Sequence, residues 1–523
     1  MKLVLCKGGA PLVALGALSL WWISVHPVCA EICTGVQIDS GTSNANIQRA
    51  LNTHPAGTTF CFAKGTYRIT TPLDPKDNQR LIAAEARAAT LNGAKVISAF
   101  VKSGSNWVAA GSLPQTATTD KECIVKGCTI EQDVYLDNIP ITRVLNPSAL
   151  GPGKFYEEFG ANGGQIYLRD DPTGHSVEQA YAPNVIRSTS SGVTVQGFVV
   201  EKVASSAQFG AIDAEYSSGP GWTIQDNEVR YSHGVGITSF PHASGTGGSM
   251  IADNYVHHNG QEGIEGYGDN LTVSNNEIAF NNTAGFNPEW ESGGAKFGGA
   301  PEIQNLLVKG NNVHDNYGPG LWCDINCYNV TFESNTVANN KYNSSGVGIF
   351  YEISDLAVIK NNTLSNNGPS PGNNGFYAGA DIIISASPHV TVYGNRLFSS
   401  VNGIGMLQQV RDDTCSFHGN STYPDGTQVC PNLGASGPSH QVHDTLIHDN
   451  NLTETAGDGL GEIAGLDDDT GVNSSFSGKN LYVHNTYHFP ALSNAYFSWS
   501  KVKVDAPTWQ SDGQDLTGTF VSP

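Results

Sequence analysis

Three short stretches of the chain concentrate side chains able to hold or transfer protons. They are Asn287-Pro-Glu289-Trp290-Glu291-Ser-Gly-Gly-Ala-Lys296-Phe297, Gly320-Leu-Trp322-Cys-Asp324 and Gly348-Ile-Phe350-Tyr351-Glu352. If Gly294, Gly320 and Gly348 open equivalent strands, Lys296, Trp322 and Phe350 form one outward column, with Asp324 and Glu352 in a second column two residues further on. Glu265, two residues after Gly263, joins the Lys296 column one strand earlier. A rival register, opening the third strand at Gly285, places Glu289 beside Asp324 and Glu352; the first is preferred. Carboxylates on neighbouring strands then lie about 5 Å apart, too close for both to ionise freely, so one is driven toward the role of general acid. A separation of about 5 Å suits a nucleophile and an acid/base acting on a glycosidic bond with retention. Skipping one strand gives about 9–10 Å, nearer the inverting geometry. Trp290, Trp322 and Tyr351 add flat faces on which sugar rings stack. The plainer alternatives are solvated surface acids or a structural Ca²⁺ site.

Strands must be stacked in register to bring these residues together, and the sequence supplies a repeat that does so. Asn-x-(Val/Ile/Leu) recurs at Asn227, Asn254, Asn276, Asn311, Asn335, Asn362, Asn395 and Asn450, in steps of 27, 22, 35, 24, 27, 33 and 55 residues. The shortest intervals set a unit of about two dozen residues, the length of one coil of a parallel β-helix. Alternating runs such as 271–274, 306–309, 330–333 and 390–393 turn every second residue toward a shared core that no single unit could bury. Asn at fixed offsets suits corners that need left-handed backbone, and its amide can bond along the stack. The fold class expected is all-β, a parallel β-helix with a short N-terminal capping helix and an inserted antiparallel β region.

Composition bounds the rest. Residues 1–30 carry Lys2 and Lys7, an apolar run and Val28-Cys29-Ala30, the pattern of a secretory signal peptide cleaved after Ala30. Without it, 25 basic face 48 acidic residues, a net charge near −23 that disfavours nucleic acid and anionic membranes. No later segment is long and apolar enough to span a bilayer. The eight remaining cysteines fall into near neighbours: Cys33 with Cys61, Cys123 with Cys128, Cys323 with Cys327, Cys415 with Cys430. In an exported protein they point to disulfides, although spacing does not fix which pairs form. The domain plan is a signal peptide (1–30), a cap with the first coils (31–80), the inserted β region (81–185), the β-helix (186–490) and an aromatic-rich C-terminal cap (491–523).

In Trp290 to Lys296, Gly320 to Asp324 and Gly348 to Ile353 the chain resembles the pectate-lyase-like right-handed β-helix superfamily, specifically exported bacterial right-handed β-helix repeat proteins. The inserted region resembles that of β-helix glycosidases acting on xylose- or fucose-containing glycans. The resemblance implies a right-handed coil and action on polysaccharide or oligosaccharide, while the fold hosts hydrolases, lyases, epimerases and adhesins alike. A second match is to the chondroitinase B and alginate lyase family. There Glu-x-Glu followed by Lys implies Ca²⁺ on Glu289 and Glu291, with Lys296 as the base that removes an acidified C5 proton. That family has an Arg on the next coil, where this chain reads Leu321 to Asp324. The leading expectation is a secreted glycoside hydrolase without a cofactor, using Asp324 and Glu352 as the reacting pair. Glu291 tunes them, Lys296 is a ligand for substrate, and Trp290, Trp322, Tyr351 and Glu265 line the subsite. A Ca²⁺-dependent lyase is second, and a non-catalytic glycan-binding or structural β-helix third.

Overall fold

The computed structural model describes residues 33–111, 120–159, 164–241, 248–298, 303–370, 375–399, 401–409, 441–455, 461–471, 474–477, 479–491 and 494–522. The expected signal peptide and the Cys415/Cys430 pair fall outside them.

Short strands alternate with sharp corners, and equivalent strands of successive coils pair in parallel. They build three long sheets of 14, 13 and 13 strands that enclose one core. The core is a set of stacked apolar columns: Ile251, Val273, Val308, Phe332, Ile359 and Val392 sit one above another, all fully buried. Branched and aromatic side chains suit a pleated surface covered on its inner face.

The asparagine repeat is a hydrogen-bonded ladder. From Asn227 to Asn450 each side-chain amide donates to the carboxamide oxygen of the next rung at 2.9–3.0 Å, and Asn450 donates to Asn485. Asn485 then donates to Asp515 at 2.8 Å. A second ladder runs Asn259, Asn281, Asn316, Asn340, Asn367 and ends on Asp381. The left-handed position is the residue before each rung, as at Asp226, Asp253, Asn275 and Asn361 with φ of 58°, 57°, 55° and 55°. The rung asparagines are therefore selected for their amides, which satisfy buried backbone at every corner.

Both ends are closed. Helix Asn44–Thr53, capped by Ser43, lays Ile47 and Leu51 over the first coil. At the far end, helix Ala506–Ser511 seats a fully buried Trp509 against Phe497, ring centroids 4.9 Å apart. Coils continue through this tail, since Phe497–Trp499 and Thr519–Val521 extend two of the sheets. The 491–523 segment is thus part of the solenoid as well as its cap.

The inserted region is an eight-stranded, largely antiparallel sheet from Ala94–Ile97 to Val177–Ala180, with its own small core around Val134, Phe155, Ile166 and Leu168. Arg80–Ala83 and Ala89–Asn92 belong to the solenoid, so the insertion starts near residue 94, later than the sequence suggested. It is tied down by buried His233. Its two ring nitrogens meet Asp133 Oδ2 at 2.9 Å and the Cys128 carbonyl at 2.7 Å; burial lowers the ring's pKa, but Asp133 and these hydrogen bonds more than offset it and hold it above the ordinary histidine value. The disulfide Cys123–Cys128 closes a loop of the insertion that docks on 285–287: Ile124 and Val125 N–H donate to the Gly285 carbonyl, and Asn287 N–H donates to Glu122. Gly285 has φ +81° and a side chain there would strike Val125.

Candidate active site

Strands Glu262–Gly266, Gly293–Gly298, Leu321–Asp324 and Ser345–Glu352 are consecutive in one sheet, and their register decides the geometry. Glu265, Lys296, Trp322 and Phe350 are partners in one column, and Asp324 pairs with Glu352 two residues on. This is the arrangement opened by Gly294, Gly320 and Gly348. The rival register fails, because Glu289 lies on an exposed turn before the strand.

Lys296 is the hub. Its Nζ lies 3.2 Å from Glu291 Oε1, 2.9 Å from Asp324 Oδ2 and 3.1 Å from the Trp290 carbonyl oxygen, so three protons meet three acceptors. It also sits 4.0 Å above the Trp322 ring. Burial alone would lower its pKa, but Asp324 and Glu291 overcome that and hold it above the ordinary lysine value. Glu291 is fixed further by Gln208 Nε2 on its carboxylate and by Gln261 Nε2 on its backbone carbonyl, 2.8 Å away. Since 285–287 is clasped by the disulfide loop of the insertion, the segment that carries Glu289, Trp290 and Glu291 is anchored at its start.

Asp324 is held from two other sides. It lies inside the short disulfide Cys323–Cys327, and the chain turns through left-handed Ile325 and Asn326 immediately after it. Across the rung stands Gly298, φ +122°, where a Cβ would collide with the Asp324 carbonyl oxygen. Glu352, 4% exposed, occupies the next rung of the same column. The hairpin formed by Lys341–Tyr342 and Ser345–Gly346 brings Tyr342 close by; burial raises its phenol pKa, and the charges of Glu289 and Glu352 raise it further.

Two carboxyls that sequence reasoning did not connect lie behind the hub. Glu262 was overlooked, and Glu265 was expected at the substrate; both are 1% exposed. Burial, then repulsion from Glu291, pushes Glu262 up to about 8, with Lys296 opposing. Glu265 is raised well above the carboxylate range by burial, then by Glu291 and Glu262, although Tyr267 donates to its Oε1 at 2.9 Å. The remaining oxygen of each has no hydrogen-bond partner. At about 8, Glu262 is mostly a neutral acid at pH 7. The available clue was the Glu262-Gly-Ile-Glu265-Gly-Tyr267 run, but Glu291, whose charge acts on both, arrives on a loop remote in sequence.

Two expected sugar platforms need correction. Tyr351 points into the core: it is fully buried, and its hydroxyl donates to the carbonyls of Asp355 at 2.7 Å and Cys327 at 3.2 Å. Strand alternation forces this, because Tyr351 lies between outward Phe350 and Glu352. Trp322 faces outward but is 4% exposed, covered by Lys296 and stacked on Phe350 at 5.5 Å with planes 16° apart. Trp290 is half-buried, on the loop over the hub.

The profile described as "Right handed beta helix region" matches residues 210–397. Among solved structures, the complex of XylC with xylose shares 17% identity and a TM-score of 0.64, covering 91% of this chain and 82% of that one. The chain has a right-handed parallel β-helix fold. The A-module of the Azotobacter vinelandii mannuronan C-5 epimerase AlgE6 aligns over 93% of this chain and 97% of its own, at 12% identity and a TM-score of 0.47. Comparison with curated protein sequences gives no match. No helix among the described residues is long and apolar enough to cross a membrane.

Proposed function

We propose that this β-helix is an exported glycoside hydrolase that cleaves an uncharged saccharide with retention, Asp324 acting as nucleophile and Glu352 as acid/base. The observation that carries the reading is their register: partners on adjacent parallel strands, about 4.8 Å apart along the sheet. Asp324 takes the nucleophile's part because it is the member of the pair that Lys296 holds, Nζ to Oδ2 at 2.9 Å. Glu352 then protonates the leaving oxygen and afterwards deprotonates the attacking water. In this reading Lys296 positions Asp324 and Glu291 in place of the expected role as a ligand for substrate, and Trp290 on the overlying loop offers an aromatic face for a sugar ring. The XylC complex, whose bound ligand is a neutral sugar, agrees with this reading.

Elimination with Lys296 as base fits less well. Its ammonium is paired twice and its pKa is raised, so almost none is unprotonated at neutral pH. The Glu291 carboxylate is already engaged by Lys296 and Gln208, and Glu289 stands apart on its turn, so the pair is poorly prepared for Ca²⁺. The cation that a uronate would need is consumed by the protein's own acids.

A panel of neutral and uronate-containing polysaccharides and aryl glycosides tests the assignment. New reducing ends without unsaturated, UV-absorbing ends are expected. With a 2-deoxy-2-fluoro glycoside of the best substrate, mass spectrometry should find the sugar attached to Asp324. Glu352→Gln should lower kcat by about 10²–10⁴-fold, least for substrates with acidic leaving groups. Inverted product, or label on another residue, would overturn the assignment.

A further inference from the structure

We propose that His389, His443 and Asp444 form a binding site for a divalent transition ion of the zinc, nickel or copper type, away from the carboxylate cluster and independent of the hydrolase reading. Their ligand atoms all lie within 4.8 Å of one another, and no other trio of His, Cys, Asp or Glu among the described residues comes so close. Neighbouring coils supply them. His389 sits at the corner before Val390–Tyr393, and His443 and Asp444 at the corner before Leu446–His448, the strand that pairs directly with it. The His389 N–H donates to the His443 carbonyl at 3.0 Å, and the two rings meet edge to face with centroids 5.0 Å apart.

The coil below supplies the support such a site requires. Asp355, 4% exposed, meets His389 Nδ1 at 2.7 Å, which would orient the ring and leave Nε2 as the nitrogen for the ion. A carboxylate behind a histidine orients metal-bound imidazoles and strengthens them as ligands. Two imidazoles and one carboxylate match the nitrogen and oxygen preference of these ions and leave positions for water. Ca²⁺, which needs six or more oxygens, is poorly served. Existing contacts can yield: His443 Nδ1 lies 2.9 Å from Asp444 Oδ2, a bond the ion replaces, and Lys479, 3.5 Å from Asp444 Oδ1, is 80% exposed and free to swing away. His314 meets Asp315 and Glu277 through opposite ring nitrogens, so those three do not gather their ligand atoms around one point.

The position suggests what the ion does. The ladder interval from Asn395 to Asn450 is 55 residues, the longest in the stack, and His443 marks the chain's return to it. An ion shared by His389 and His443 would pin that return to the preceding coil.

The test uses untagged full-length protein, stripped with EDTA and dialysed metal-free. Calorimetric titration with ZnCl₂, NiCl₂ and CuCl₂, with CaCl₂ as control, should show one saturable site for at least one of the three transition ions and none for calcium. His389→Ala and His443→Ala should each abolish it, and Asp355→Asn should weaken it by about 10–100-fold. His314→Ala should leave it unchanged. Circular dichroism of each variant separates lost binding from lost fold. The thermal midpoint should rise with the bound ion in the parent and in neither His389→Ala nor His443→Ala. No saturable uptake, or uptake that survives both histidine substitutions, would overturn the site. Substrate turnover plays no part, so this result and the hydrolase assays stand separately.

Discussion

Replacing Glu262 by Gln keeps the shape of a buried carboxyl and removes its ability to ionise. The folded protein holds this group at about 8, against an ordinary value of 4.5, because it is 1% exposed and faces Glu291. The folded-state pKa is the higher one, so the benefit of the neutral form is complete below about 4.5 and is lost as pH rises through about 8. At 1.36 kcal/mol per pH unit the accumulated cost approaches about 4–5 kcal/mol, and local relaxation brings the expected effect to about 3–5 kcal/mol. Glu262→Gln has no such cost. The two proteins should therefore unfold at similar urea concentrations near pH 4.5. The parent should fall progressively behind the variant up to about pH 8, and the gap should then stay constant. Equilibrium urea unfolding by tryptophan fluorescence, at half-unit steps from pH 4.5 to 9, reads this directly. Parallel midpoints across the range, or a variant less stable at pH 8, would refute the claim that Glu262 is a buried neutral acid.

Lys296→Met should lower stability by about 3–5 kcal/mol at pH 7, because Glu291 and Asp324, with side chains 13% and 12% exposed, lose their shared cation. Acid should narrow that deficit as the orphaned carboxylates take up protons, seen as converging urea midpoints. Asn335→Ala removes the acceptor of the Asn311 N–H and a donor to the Val308 carbonyl, which should cost about 2–4 kcal/mol. Hydrogen exchange should report it as faster exchange at the Asn311 amide and its neighbours on adjacent rungs.

Much of this architecture is legible without coordinates because the fold repeats. The ladder asparagines recur at coil length, and Gly294, Gly320 and Gly348 mark equivalent positions, so the pairing of Asp324 with Glu352 follows from counting. Tyr351 shows the discipline such counting demands: strict alternation sends it inward, and aromatic character does not change that. Trp322 shows where counting ends, since an outward position is exposed only if nothing packs over it, and Lys296 and Phe350 do. Glu262 was hidden for a related reason. Glu291, which acts on it, arrives on a loop whose path carries no periodic signal.

The two ladders close on Asp515 and Asp381, and that gives the solenoid a direction. Each amide passes its N–H forward and receives from behind, so the last member needs acceptors and no protons to give, which a carboxylate provides and an asparagine does not. Such a chain can lengthen by duplication of a whole coil in its interior, where donor and acceptor counts stay matched. Beyond Asp515 a further rung of its ladder would meet a group without N–H where one is required, whereas the second ladder stops at Asp381 and coils continue past it without one. Relatives of different length should therefore vary in the middle and keep an acidic residue at the same terminal rung.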